Sequence, residues 1–245
     1  MSKQGIEELQ SHYQSEGYAV VQNFLSPEEV AQLRASMIQF AKLYPEFCVP
    51  EAREDGEAGK LLFQALNFAD KVGFVKSLLG STKLQGYLQH FLGEPASLFI
   101  EDFHYKEPGG GAYDPHQDMQ SPVLEWVNQE YKPTIPVDKL VTVVLAVDDH
   151  TRENGCMQVA PRVHHRGLLG PEGGNLAKEF AATLEFKDVE MKAGDALFFD
   201  GYCPHGSQVN RSASSRKGLF LFYNPSRCGD QRLWAQDYFL HDKLV

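Results

Sequence analysis

The sequence predicts a mostly β fold with flanking helices, a β-sandwich or jelly roll buttressed by N-terminal helices. Three observations carry that expectation. Helical periodicity is confined to roughly the first 95 of the 245 residues. From there on, short β-prone runs recur, punctuated by Gly, Pro, Asn and Asp, which is the texture of antiparallel strands and turns. Helices first and many short strands after is the order expected of helices packed on one side of a sheet system.

Taken along the chain, residues 5–16 read as a short helix ended by Gly17, followed by an apolar strand-like run from Tyr18 to Phe24. Ser26-Pro27-Glu28-Glu29 is a helix start: serine caps, proline takes the first helical position, and Glu29 closes a capping box. Val30, Leu33, Met37, Phe40 and Ala41 follow at helical spacing, to about Leu43. Residues 70–92 hold two more helical patterns split by Gly80-Ser81. The β-prone runs are Ser97–Tyr105, Leu140–Val147, Met157–Ala160, Asp188–Met191, Ala196–Phe199 and Gly218–Tyr223. Two long irregular segments, about 107–139 and 166–182, stand out, and loops of that length in a compact domain are functional or disordered. The first is the candidate lid. The expected organisation is one domain over 1–245: a mainly helical buttress (1–95), a β core (96–225) and a tail packing on it (226–245).

A net charge of −10 argues against nucleic acid or an anionic membrane as the main partner. No apolar run approaches the ~20 residues that span a bilayer, and the N-terminus lacks the apolar region of a signal peptide. Cys48, Cys156, Cys203 and Cys228 are widely spaced, which suits free thiols in a reducing cytoplasm rather than a disulfide framework or a thiolate zinc site.

The chemistry concentrates at two places. Pro115-His116-Gln117-Asp118 puts a histidine and a carboxylate two residues apart, on one face of an extended strand. With a remote second histidine the pair would complete a 2-His-1-carboxylate facial triad, which leaves three iron positions open. Alone, His-x-Asp has little specificity. The second place is Ala193–Asp200, a turn and a buried strand, followed by His205-Gly206-Ser207, Asn210, Ser212 and Arg216. A histidine at a strand end can supply the third ligand. A hairpin from there would return Arg216, whose planar fork suits a carboxylate, to the metal.

These segments, together with Lys106-Glu107-Pro108-Gly109, the run 140–147 before Asp148-Asp149, Glu153-Asn154-Gly155-Cys156 and the N-terminal Glu16–Val21, resemble the phytanoyl-CoA dioxygenase family of Fe(II)/2-oxoglutarate oxygenases, in the family's order over nearly the whole chain. The resemblance implies a double-stranded β-helix (jelly roll) core, iron on His116, Asp118 and His205, and 2-oxoglutarate on Arg216 and Ser207, with O2 as the other co-substrate. Lys106, ahead of the glycine-rich turn, and Thr142 are further candidate co-substrate contacts. Where the family has Pro-Gly-Ser-His, this chain has Pro161-Arg162-Val163-His164, which implies a locally different loop. The presence of Asp118 disfavours halogenation, which needs a small residue there. Lys106–Asp118, Glu153–Cys156, Gly167–Gly170 and Tyr223–Asp230 are similar to the 2-aminoethylphosphonate and related alkylphosphonate dioxygenases.

The implied reaction is hydroxylation of an unactivated C–H of a small polar molecule, such as an aminoalkylphosphonate or related amine, with release of succinate and CO2. Desaturation, cyclisation or demethylation at the same centre is the first alternative, and a non-catalytic cupin-like binding protein the second. The expected assembly is a monomer or homodimer. Tyr105, Tyr113, Trp126 and Tyr131 are candidate substrate-pocket residues, although each such aromatic is individually more often packing. His104, His150, His164, His165 and His241 read as surface or supporting groups rather than ligands. Gly109-Gly110-Gly111 reads as a flexible loop rather than a phosphate cradle.

Overall fold

The computed structural model describes residues 3–50, 62–66, 68–170 and 174–236. His241 and the rest of the expected tail beyond 236 lie outside them. In chain order the elements are α1 (Lys3–Glu16), β1 (Tyr18–Val21), α2 (Pro27–Leu43), β2 (Cys48–Pro50), β3 (Leu62–Leu66), α3 (Gly73–Leu79), α4 (Thr82–Leu92), β4 (Ala96–Lys106) and β5 (Tyr113–His116). They continue as α5 (Pro122–Trp126), β6 (Val141–Ala146), β7 (Met157–Val159), α6 (Lys178–Ala181), β8 (Lys187–Val189), β9 (Ala196–Asp200), β10 (His205–Ser207) and β11 (Arg216–Pro225).

The helix boundaries follow local chemistry. Gly17 (φ +85°) donates its N–H to the Tyr13 carbonyl and ends α1. Ser26 and Glu29 form the reciprocal capping box at the start of α2. Ser81 caps α4, so the break between α3 and α4 falls at the Gly80-Ser81 pair.

All strand pairs are antiparallel, in two sheets. The larger runs β1-β9-β6-β11-β4-β3-β2 and the smaller β5-β10-β7-β8. This is the jelly roll with helices on one side. Strand alternation divides the core between the two faces of the large sheet. Phe103, Tyr105, Val141, Val143, Leu145, Phe198, Leu219 and Leu221 pack against residues of α2, α3 and α4. Val144, Ala146, Leu197, Phe199 and Phe220 face the other way and meet Met157, Val159 and Val189 of the small sheet. The functional cavity lies at one end of this second, inter-sheet layer.

The N-terminal 95 residues are mainly helical among those described, with β1 in the strand-like run expected after Gly17, and β2 and β3 extending the other edge of the large sheet. Nor is 107–139 irregular. It contains β5, a 3-10 turn at Asp118–Gln120, α5, and a π-helical turn at Val127–Tyr131. These pieces are too short for periodicity to reveal. Gly109 and Gly110 form a tight turn pinned to Asn210 through Gly109 N–H to Asn210 O and Asn210 N–H to Gly110 O, not a free loop. Among the described residues no helix is long and apolar enough to cross a membrane.

Candidate active site

The small sheet builds the metal-binding triad. β5 and β10 pair antiparallel with His116 directly across from His205, and their rings stand 4.3 Å apart. Gln117 stays extended (φ −123°, ψ 134°), so Asp118 returns to the face of His116 although it opens a 3-10 turn. One ligand atom from each of His116, Asp118 and His205 lies within 4.8 Å of the others, the spacing of donors around one ion. His205 Nε2 is 3.5 Å and His116 Nε2 4.0 Å from Asp118 Oδ1.

The supporting hydrogen bonds orient these donors. His116 Nδ1 lies 2.8 Å from the Asp114 carbonyl and His205 Nδ1 3.0 Å from that of Cys203, so each Nδ1 donates and each Nε2 lone pair points into the cavity. Thr142 Oγ1 donates to Asp118 Oδ2 and leaves Oδ1 for the metal. Burial holds the His205 imidazole neutral, its pKa pushed down to about 4, which is the form a metal requires. Gln117, pointing the opposite way, donates to the Gly167 and Tyr202 carbonyls and accepts the Leu169 N–H, tying the ligand strand to the 166–170 loop.

The large sheet supplies the cation. Arg216 opens β11, is 1% exposed, and lines the same cavity of about 150 Å³ as the triad. Its Nε and Nη1 have no hydrogen-bond partner. Burial lowers its pKa to about 10, so it remains charged at neutral pH. A buried, charged guanidinium with two nitrogens lacking acceptors is costly by itself and fits a carboxylate that arrives with a ligand. The expected hairpin between His205 and Arg216 is not there. β10 pairs with β5 and β7, whereas β11 pairs with β4 and β6, so segment 208–215 arches from one sheet to the other. The metal ligands and the guanidinium therefore approach the cavity from opposite walls.

The other expected contacts divide. Ser207, Thr142 and Tyr113 line the cavity. Lys106 is buried opposite Arg216 in register, but its Nζ donates to Ser207 Oγ (2.7 Å) and to the Gln208 carbonyl, so it fixes the serine. Gly155 (φ +73°) permits this approach, since a Cβ there would lie 2.2 Å from the Gln208 carbonyl oxygen. Tyr105 does not face the cavity. It has the opposite strand phase, sits in the helix-side core and donates to the Met37 carbonyl (2.8 Å). Trp126 and Tyr131 do not line the cavity either; they pack edge-on together, and Tyr131 stacks on Trp234.

Strand phase brings in Asp102, which the sequence reading did not single out, together with His104, expected only as a surface or supporting group. Asp102 and His104, flanking Phe103 on β4, line the cavity with Gln64 of β3. His104 Nε2 lies 2.8 Å from Asp102 Oδ2, and its ring stacks on Phe220 at 3.9 Å. The signal available was the polar alternation Asp102-x-His104 around the apolar Phe103. His150 is fully buried against the Lys217 carbonyl rather than at the surface. His164 and His165 occupy a 3-10 turn, not a strand, which puts their rings 3.8 Å apart on one side. In the altered Pro161–His164 segment, Arg162 takes the left-handed conformation (φ +65°) that glycine adopts freely.

Comparison with known proteins agrees with this geometry. The family model for phytanoyl-CoA dioxygenase (PhyH) matches residues 13–218. A methylphosphonate hydroxylase of Gimesia maris is 39% identical over 159 residues, covering 64% of this chain and 56% of that protein. A 2-aminoethylphosphonate dioxygenase from an uncultured bacterium is 33% identical over 181 residues, covering 74% and 64%. The chain thus spans less than two thirds of the length of either relative. In fold, it superposes on the non-haem, α-ketoglutarate-dependent carbocyclase SnoK from nogalamycin biosynthesis with a TM-score of 0.76 at 23% identity, covering 92% of this chain and 85% of that one. The S. alaskensis EctD structure gives 0.75 at 20%, covering 93% and 77%. Because the family match runs from α1 to Gly218 and so takes in both sheets, the triad and Arg216, the chain belongs to the phytanoyl-CoA dioxygenase (PhyH) family.

Proposed function

We propose that the chain is an Fe(II)- and 2-oxoglutarate-dependent dioxygenase that hydroxylates an unactivated C–H of a small polar molecule. The observation that carries this is the buried guanidinium of Arg216, without acceptors on Nε and Nη1, in the same cavity as the His116–Asp118–His205 triad. A metal-binding module would need the triad alone. Family membership and the two phosphonate-acting relatives support the same reading.

Bound together, iron, 2-oxoglutarate and O2 supply oxidative decarboxylation to succinate and CO2 and the transfer of one oxygen atom to the substrate. The chain's own residues set the stage. His116 Nε2, His205 Nε2 and Asp118 Oδ1 would hold the metal, and three protein ligands would leave it positions for 2-oxoglutarate and O2. Arg216 would grip the distal carboxylate of 2-oxoglutarate, and Ser207, held by Lys106, would offer its hydroxyl in the same cavity. Met157, Phe199, Phe220 and Phe222 exclude water from the cavity.

The cavity adjoins a wider cleft of about 500 Å³, to which Gln120, Ser121, Pro122 and Val123 of the 107–139 segment contribute. Among the described residues, Arg216 is the one lysine or arginine on either wall, which offers nothing for the phosphates of an acyl-CoA. Because two relatives are a methylphosphonate hydroxylase and a 2-aminoethylphosphonate dioxygenase, small phosphonates, aminoalkylphosphonates and related amines are the first substrates to try. The deciding experiment is anaerobic: Fe(II) plus 2-oxoglutarate should give the weak visible charge-transfer band of the chelate. Absence of the band from protein shown to bind Fe(II) would remove the oxygenase reading.

A further inference from the structure

Asp102 is 4% exposed and has no role in the metal site or at Arg216. Its Oδ2 is doubly engaged, accepting from Gln64 Nε2 and lying 2.8 Å from His104 Nε2. Its Oδ1 is buried and has no hydrogen-bond partner. A carboxylate oxygen buried without a donor pays a full desolvation penalty, ordinarily relieved by a cation or hydrogen-bond donor. Its strand neighbours on the same face include the apolar Phe220 and Phe222, which offer Oδ1 no donor.

Its position is specific. Six residues line both the inner cavity and the outer cleft: Gln64, Asp102, Tyr113, His116, Asp118 and Phe222. Asp102 therefore stands at the junction through which a molecule in the cleft reaches the metal ligands His116 and Asp118. The cavity has a division of charge: one guanidinium, Arg216, suited to the dicarboxylate co-substrate, and one unsatisfied carboxylate oxygen at the side open to the cleft. The aromatic faces of Tyr113 and Phe222 flank the junction and are favourable neighbours for a cation.

We propose that Asp102 is the substrate anchor and that it selects a protonated amine, whose N–H donates to Oδ1 while Gln64 and His104 hold the carboxylate in place. This rests on the oxygenase reading for the site and adds which end of the substrate is recognised: the basic nitrogen, not an anionic group. Among the described residues, neither wall carries a second lysine or arginine to receive an anion once Arg216 is occupied.

The test uses matched pairs of ligands that differ in the amine: 2-aminoethylphosphonate against ethylphosphonate, β-alanine against propionate, and propylamine against propanol. Each is titrated calorimetrically into anaerobic protein loaded with Fe(II) and 2-oxoglutarate. At least one amine should bind tenfold or more tightly than its partner, and Asp102→Asn should erase that preference while leaving 2-oxoglutarate affinity unchanged. No amine preference in any pair for the native protein, a measurement that needs no variant, would overturn the proposal. So would a preference that survives in folded Asp102→Asn. Amine preference without the charge-transfer band would sink the oxygenase reading and leave the amine site standing; a band without the preference would do the reverse.

Discussion

Lys106 and Arg216 face each other in antiparallel register on β4 and β11, both almost fully buried, yet their surroundings offer them different hydrogen-bond acceptors. Lys106 Nζ donates to Ser207 Oγ and the Gln208 carbonyl, while Arg216 Nε and Nη1 meet no acceptor. Two adjacent cations thus play different parts. One braces the arch between the sheets and the other is held ready for an anion.

The unpaired guanidinium makes a prediction with two opposite signs. Arg216→Met removes a buried charge whose Nε and Nη1 have no hydrogen-bond partner in the ligand-free protein. The ligand-free variant should therefore be more stable, by roughly 1–3 kcal/mol in denaturant titration. The same variant should bind 2-oxoglutarate at least ~30-fold more weakly, since truncating one side of a buried charge pair costs about 2–5 kcal/mol. Unchanged 2-oxoglutarate affinity would show that Arg216 is not its anchor.

Thr142 would act on a bound metal through Asp118, to which it donates a hydrogen bond. Thr142→Val keeps the shape of the strand but frees Asp118 Oδ2. Fe(II) affinity should fall about 10–100-fold, as is usual when a group orienting a metal ligand is lost. The far-UV circular dichroism and the affinity for amines should stay as they were. Metal titration followed by the charge-transfer band reads the effect directly.

His150 sets an acid limit on stability. Burial first, and the nearby Arg216 charge second, push its pKa down to about 3, against about 6.5 in an unfolded chain. Because the folded pKa is the lower one, the unfolded state binds more protons between the two values. Stability is then complete above pH 6.5 and is lost as pH falls towards 3, by up to ~1.4 kcal/mol per pH unit. Folding measured from pH 7.5 to 5 should weaken on acidification, and His150→Gln should flatten the slope. An unchanged slope in the variant would assign the acid lability to other groups.

Arg162 holds a backbone conformation that costs a residue with a Cβ about 1–2 kcal/mol. Arg162→Gly removes that strain but adds unfolded-state entropy. The net expectation is a gain of ~0.5–1 kcal/mol, or about 1–4 °C in melting temperature for a chain of this size. A lower melting temperature would mean that the arginine side chain contributes more than the strain costs.

How much was legible in advance depended on how local each signal was. The capping box at Ser26, the stop at Gly17 and the break at Gly80-Ser81 are written in adjacent residues, and the helices begin and end there. His116 and Asp118 share a face because the extended backbone at Gln117 makes i and i+2 neighbours, a relationship that needs no tertiary contact. The strands β5 and β10 escaped detection because each is three or four residues long and exists only through its partner.

The sequence by itself therefore determined the long helices and the principal strands, the jelly-roll class, and the residue types proposed for a metal triad and a co-substrate arginine. Tertiary structure decided which wall each group stands on. It separated His205 and Arg216 into different sheets, since strand pairing is set by non-local register and not by chain proximity. It also fixed the phase of β4. Tyr105 turns into the helix-side core, while Asp102 and His104, one or three residues away and therefore on the other face, reach the cavity. A strand has two faces and its sequence carries both; only packing of the helices against one of them settles which residues are left to meet a ligand.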